Sequence, residues 1–347
     1  MKKKMRVMSE KPLNAETPVE RLRSWITGNE VFFDRNQGQI PEEPVDLRDW
    51  KLVVEGEVDT ALTIDFDEIC RMPKAIVSNT LECSGNGRSL LQEKSRGNPW
   101  TIGGVGNAVW AGVWLRDVLN RAGLTERARH VAFEGFEKSL GSAQIRFIRS
   151  IPLQKAMEST LLAYEMNGEF LPVKHGFPLR ALALGWTGAN CVKWLSRITV
   201  LEKPYEGFFM DKVYRVFQKG QDSKTGEIVA EIGLKSIITQ PRNDEALPPG
   251  SIAVLGAAYA GEGSVAAVEV SVDGGNSWKE ASFLGPHEPF AWRQWQYIWE
   301  VEERGDYSVM ARATDADGNR QPMQAQWNVL GYGNNGVREH AITVTIE

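Results

Sequence analysis

The sequence predicts an α+β chain in two parts: a mixed α/β domain over residues 1–237 and an immunoglobulin-like β-sandwich over residues 238–347. Three observations carry this. In the first two thirds, apolar residues recur at helical spacing in some windows and cluster in short runs in others, so helices and strands interleave. From Gln240-Pro241-Arg242 to Pro248-Pro249-Gly250 the texture changes and helical periodicity stops. Beyond it, short alternating runs are separated by Gly/Asp/Asn turns, the pattern of a two-layer antiparallel sandwich.

Taken in order, residues up to about 45 are polar and punctuated by proline, which predicts an extended arm laid over the domain. Leu52-Val53-Val54 followed by Glu55-Gly56-Glu57-Val58 predicts a hairpin. Asp65 and Glu68 are spaced as a capping box and open a short helix that ends before Pro73. Val77 to Leu81 reads as a strand leading directly to Cys83. Leu115, Val118, Leu119 and Ala122 share one helix face, stopped by Gly123. Ser150-Ile151-Pro152 is expected to open another helix with proline in its first turn. Segments 179–184 and 192–200 read as buried strands. In the last third, Val268/Val270/Val272, Tyr307/Val309/Ala311/Ala313 and Ile342/Val344/Ile346 alternate with polar residues. The first two runs end at the turns Asp273-Gly274-Gly275 and Asp317-Gly318-Asn319.

Composition removes several function classes. Lys and Arg number 40 against 45 Asp and Glu, a formal charge of −5, so no global basic field argues for nucleic acid. Lys2, Lys3, Lys4 and Arg6 are read as a solvated tail. No apolar run is long enough for a transmembrane helix, and the basic start leads into Ser9-Glu10-Lys11-Pro12 rather than an apolar stretch. A cytoplasmic location is therefore expected, or a periplasmic one where a leader has been removed. Three widely spaced cysteines, Cys70, Cys83 and Cys191, argue against a disulfide framework, structural zinc or covalent haem. No P-loop, dinucleotide fingerprint or nucleophile elbow occurs.

The chemistry lies in four loops. Cys83-Ser84-Gly85-Asn86-Gly87-Arg88 sets a thiol in a glycine-rich turn with an arginine beside it. The glycines let the backbone bend, and the cation favours both thiolate and anions. By itself such a cysteine reads more readily as a small core residue. Phe33-Asp34-Arg35-Asn36-Gln37-Gly38 gathers a cation and amides. His175-Gly176-Phe177-Pro178-Leu179-Arg180 sets a histidine and an arginine around a turn, and Cys191-Val192-Lys193-Trp194 carries a lysine inside a strand pattern. Each is compatible with an ordinary turn or strand end. Together, Arg35, Arg88, His175, Arg180 and Lys193 are donors suited to phosphate and polar heterocycles, and Cys83 is a soft ligand suited to a transition metal.

At these residues the chain resembles the sulfite oxidase family of molybdopterin enzymes, over nearly its whole length. The Cys83–Arg88 loop is similar to the family's C-A-G-N-R-R loop, whose cysteine ligates molybdenum. Ile151-Pro152-Leu153, Leu162-Ala163-Tyr164-Glu165-Met166-Asn167-Gly168, His175 to Arg180, Val192-Lys193-Trp194-Leu195 and Val272-Asp273-Gly274-Gly275 to Trp278 follow in the family's order. The resemblance implies a molybdenum–molybdopterin cofactor (Moco), with Cys83 as metal ligand and no haem segment in this chain. It implies that Phe33, Asp34, Arg35, Asn36, Gln37, His175, Arg180, Cys191, Val192 and Lys193 hold the pterin and its phosphate, with Glu137 as a cofactor-contacting acid. Arg35, Arg88, Trp100 and Tyr214 match the substrate pocket; Tyr214, in Asp211-Lys212-Val213-Tyr214-Arg215, fits better than Tyr205.

The implied reaction is oxygen-atom transfer to a small oxyanion, sulfite becoming sulfate. Electrons leave to an external acceptor, a cytochrome or dioxygen, and the sandwich joins a homodimer. Three departures bear on substrate: Gln37 stands in the family's R-N-H, Gly87 replaces the first arginine of N-R-R, and Leu330 stands where sulfite-oxidising members have an arginine. Either Arg338 or another nearby cation compensates, or sulfite is a poor substrate for this chain. The alternatives are a reductase with the same cofactor acting on nitrate or a sulfoxide, and a catalytically silent binding protein.

Overall fold

The computed structural model describes residues 5–42, 45–138 and 145–347. The first domain packs two five-stranded sheets around helices. In one, Val105–Trp114 lies between Ala75–Glu82 and Thr160–Met166, all antiparallel, with Arg180–Ala183 also on Thr160–Met166. In the other, Leu195–Leu201 runs parallel to Leu52–Gly56 and antiparallel to His130–Gly135, which pairs with Ile148–Pro152. Leu52, Val54, Val113, Phe133, Leu162, Leu195 and Ile198 form the core between them. The helix Leu115–Ala122 buries Leu115, Val118, Leu119 and Ala122 there and ends at Gly123, φ +70°, as its periodicity predicts. The helix Phe66–Arg71 carries the predicted reciprocal capping box, the Asp65 carboxylate accepting from the Glu68 N–H at 2.9 Å.

The second domain is a β-sandwich. Lys235–Gln240, Gly250–Tyr259, Arg293–Val301 and Ser282–Leu284 make one sheet, and Glu245–Leu247, Ile342–Ile346, Gly305–Asp315, Val265–Ser271 and Lys279–Glu280 the other. Val268, Val270, Val309, Ala311, Ala313, Val344 and Ile346 from the alternating runs meet Trp295 and Trp299 in its core.

Four local expectations are corrected. The arm is partly a hairpin, with Arg6–Glu10 paired to Leu13–Glu16. Within it Arg6 belongs to a strand and not to a tail, and its exposed side chain pairs with the buried Glu16 at 3.1 Å; Lys2 to Lys4 lie outside the described residues. Ser150 to Pro152 continue a strand, and the helix is Leu153–Ser159, capped by Pro152 instead of containing it. Residues 192–194 are loop, not strand: Trp194 sits at φ +50°, held by its indole N–H on the Val173 carbonyl at 2.7 Å.

Candidate active site

The strand Ala75–Glu82 ends by presenting Cys83 to a cleft that opens to solvent. The Cys83–Arg88 turn is fixed by its own backbone: Cys83 N–H donates to the Gly104 carbonyl and Asn86 N–H to the Cys83 carbonyl, each at 2.8 Å. A Cβ at Gly85 would collide with the Arg88 guanidinium, so the turn needs glycine there. Burial pushes the Cys83 thiol up, while Arg35, the Gly85 N–H and Arg88 pull it down. Those three donors favour the thiolate that a metal demands.

Phe33, Arg35, Asn36, Gln37, Cys83, Glu137, His175, Arg180, Cys191, Lys193 and Tyr214 line this one cleft. Four other expected residues do not. Asp34 is buried just behind, its carboxylate accepting from Lys174 at 3.1 Å. Val192 is core. Trp100 is fully buried, its ring set edge-on to Phe33 at 6.1 Å, so it backs a cleft residue. Arg88 is tucked beside the cleft, donating to the Leu330 carbonyl at 2.7 Å and the Asn98 carbonyl at 2.8 Å.

The polar wall is an interlocked set. Lys193 donates to the Asn36 side-chain oxygen and to the Lys174 carbonyl at 2.9 Å. Arg180 donates to the His175 carbonyl at 2.8 Å and lies over the Trp110 ring. His175 Nε2 faces the Asn29 carbonyl at 3.1 Å, and burial holds the imidazole well below its ordinary range, so it is neutral with Nε2–H the donor. Gln37 donates to the Tyr214 hydroxyl at 2.7 Å.

Two cleft atoms are left over: Glu137 Oε2 and Arg180 Nε are buried without a hydrogen-bond partner, as is Asp34 Oδ1 behind them. Orphaned polar atoms of both signs around one cavity, with a thiol and a lysine, fit a large polar ligand carrying ring nitrogens and a phosphate. Arg35, His175, Arg180 and Lys193 could hold its anionic and heterocyclic parts, and Cys83 a soft metal.

Burial raises Glu137 to about 7 and lowers Lys193 to about 7. Between the unfolded value of 4.5 and about 7, the folded chain keeps a Glu137 proton that the unfolded chain has lost, so stability falls as pH rises. From about 7 to 10.5 the unfolded chain keeps a Lys193 proton that the folded chain has lost, so stability rises with pH. Protein without a ligand in the cleft is therefore expected to show a dip in melting temperature near neutral pH. Glu137→Gln should flatten its acid side; an unchanged acid side in a pH series of thermal melts would refute the assignment.

The departures also find places. Gly87 sits at φ +82°, and a Cβ there would meet Asn334 Nδ2 and His340 Nε2 at 3.1 Å. Position 87 therefore faces the sandwich, and its glycine takes no cation from the cleft. Leu330 packs with Tyr214, Phe209 and Tyr332, so the missing guanidinium is a local loss. Arg338 is exposed and away from the cleft lining, so it does not compensate. Sequence reasoning missed Arg149, which is fully buried with its guanidinium 5.2 Å from the Tyr214 ring. Its only sequence signal is a charge inside the run Phe147-Ile148-Arg149-Ser150-Ile151.

The family models that match this chain make it a cofactor-binding oxidoreductase domain joined to a dimerisation domain. The oxidoreductase molybdopterin-binding domain matches residues 37–209 and the Mo-co oxidoreductase dimerisation domain residues 226–345. Sulfite oxidase of Gallus gallus is 37% identical over 94% of this chain and 75% of its own length. Nitrate reductase [NADH] 2 of Phaseolus vulgaris is 34% identical over 95% of this chain and 41% of its own. The chain spans 64% of the length of the mammalian mitochondrial sulfite oxidases it matches. The crystal structure of the sulfane dehydrogenase SoxCD from Paracoccus pantotrophus superposes with a TM-score of 0.84 at 26% identity, covering 98% of this chain and 88% of that one. The chain belongs to the sulfite oxidase family of molybdopterin-dependent oxidoreductases. Among the described residues no helix is long and apolar enough to cross a membrane.

Proposed function

We propose that this chain oxidises sulfite to sulfate, sulfite and water giving sulfate, two protons and two electrons that pass to an external acceptor such as a cytochrome or dioxygen. The observation that carries this is the convergence of Arg35, Cys83 and Tyr214 on one cleft, with Arg88 behind its rim. When bound, the molybdenum cofactor supplies the oxygen-atom transfer and the two-electron uptake. Cys83, whose thiol burial pushes up and Arg35, the Gly85 N–H and Arg88 pull down, would hold the metal as thiolate. Arg35 lines the cleft and draws the dianion toward it. The Tyr214 hydroxyl accepts from Gln37, which leaves its own proton free to donate to a substrate oxygen. The match of residues 226–345 to a Mo-co oxidoreductase dimerisation domain supports a homodimer formed through the sandwich.

The test compares sulfite-dependent cytochrome reduction with dye-driven nitrate reduction by the molybdenum-loaded protein. Sulfite turnover should dominate, and Arg35→Gln should raise its KM by about one to two decades, the loss of one charge-assisted contact. Dominant nitrate turnover would move the chain to the second reading, an oxyanion reductase. Leu330 favours that reading, since an apolar side chain beside Tyr214 suits a less charged substrate.

A further inference from the structure

We propose that Arg149 is a positioning residue for anion binding, acting through Tyr214 and supplying from behind that ring the positive charge that position 330 lacks. This rests on reading the cleft as an oxyanion site. Arg149 lies on the strand Ile148–Pro152 and is 0% exposed. Its guanidinium donates to the Phe209 carbonyl and to Asn190 Oδ1 at 3.0 Å, and its Nε has no partner. Among the described residues no carboxylate pairs with it, whereas buried Lys235 has Glu82 and buried Lys155 has Glu262. Burial lowers it only to about 10, so it is charged at neutral pH. An uncompensated buried cation is a poor choice for stability alone, and a site that receives an anion is where its charge is answered.

The route to that site is a stack. Arg149 lies 5.2 Å from the Tyr214 ring centre, Tyr214 stacks on Tyr332 at 5.5 Å and 19°, and Arg88 lies 5.3 Å from the Tyr332 ring centre. Two guanidiniums thus bracket a tyrosine pair drawn from both domains. Tyr214 itself sits at φ +54°, a conformation its side chain disfavours and that the surroundings must hold. Arg149 holds the ring and adds positive potential at its hydroxyl, which reaches the cleft beside Gln37.

The experiment titrates cofactor-loaded protein with sulfate, and separately with nitrate, by calorimetry. Arg149→Met should weaken sulfate about tenfold, the size of one lost charge interaction, with the sulfite KM rising in step and kcat changing far less. Arg149→Lys should recover most of the affinity. Asn190→Asp keeps the arginine but sets a carboxylate against it, and should weaken sulfate as Arg149→Met does. Unchanged sulfate affinity in Arg149→Met at full molybdenum content overturns the proposal, as does unchanged affinity in Asn190→Asp where the methionine variant does not fold. Wild-type protein that binds nitrate but neither binds sulfate nor oxidises sulfite would sink the sulfite reading alone, with Arg149 then judged on nitrate. Binding of neither anion would overturn both.

Discussion

Cys83→Ser should yield a folded protein with no turnover. The thiol lines the cleft wall, and its loop is closed by backbone bonds that a serine leaves intact. The stability change should be about 1–2 kcal/mol, since the serine sets a smaller, polar hydroxyl into the buried apolar cluster that Cys83 shares with Phe33, Leu81 and Trp100. The chemistry changes completely, because a hydroxyl does not ionise where a thiol does and is a poor ligand for a soft site. The measurements are thermal melting, molybdenum content of protein made in a host that synthesises the cofactor, and acceptor reduction. Wild-type protein should hold about one molybdenum per chain. Residual turnover near the wild-type rate would remove Cys83 from the metal site, and wild-type protein devoid of molybdenum would remove the oxidoreductase chemistry itself.

Breaking the Lys235–Glu82 pair is the change expected to destabilise most. Lys235 Nζ lies 2.6 Å from Glu82 Oε1, with side chains 2% and 6% exposed. Tyr259 and Asn86 donate to the same carboxylate oxygen, each at 2.9 Å. Lys235 and Tyr259 come from sandwich strands, while Glu82 immediately precedes Cys83. Lys235→Met strands a buried carboxylate and should cost about 3–5 kcal/mol, whereas the double variant Lys235→Met/Glu82→Gln should regain most of it. Burial and the neighbouring Glu82 hold the Tyr259 phenol well above its usual range, so it stays a donor and cannot itself supply the missing charge. Thermal melts of both variants decide the matter; equal losses in the single and double variants would show that the pair is not coupled.

Much of this was legible in the sequence because the cleft is built from residues that break local patterns. Lys193 inside an apolar stretch, His175 and Arg180 around a glycine–proline turn, and Cys83 between glycines each advertise a polar demand that ordinary packing does not make. The capping box at Asp65 and the face Leu115–Ala122 were legible because local geometry alone defines them. What failed was direction. A motif position shows which side chain is missing but not where it would point: the arginine absent at Gly87 reads as a loss to the substrate, yet a Cβ there meets Asn334 and His340. Arg149 stayed hidden because a charge in a strand of mixed pattern does not announce which layer it enters. Residues 192–194 read as strand, yet they form a loop because Trp194 adopts a left-handed conformation that its sequence does not demand.

The segment 328–334 belongs to the sandwich, yet it grips the Cys83 loop: Gly333 N–H donates to the Ser84 carbonyl at 3.0 Å and Asn334 to the Gly87 carbonyl at 2.7 Å. Leu330 and Tyr332, which face Tyr214, ride on that same segment. The stretch that would tune the substrate therefore also holds the Cys83 loop. A lineage that exchanges one oxyanion for another by rewriting residues 330 and 332 must leave the Gly333 and Asn334 contacts to that loop in place.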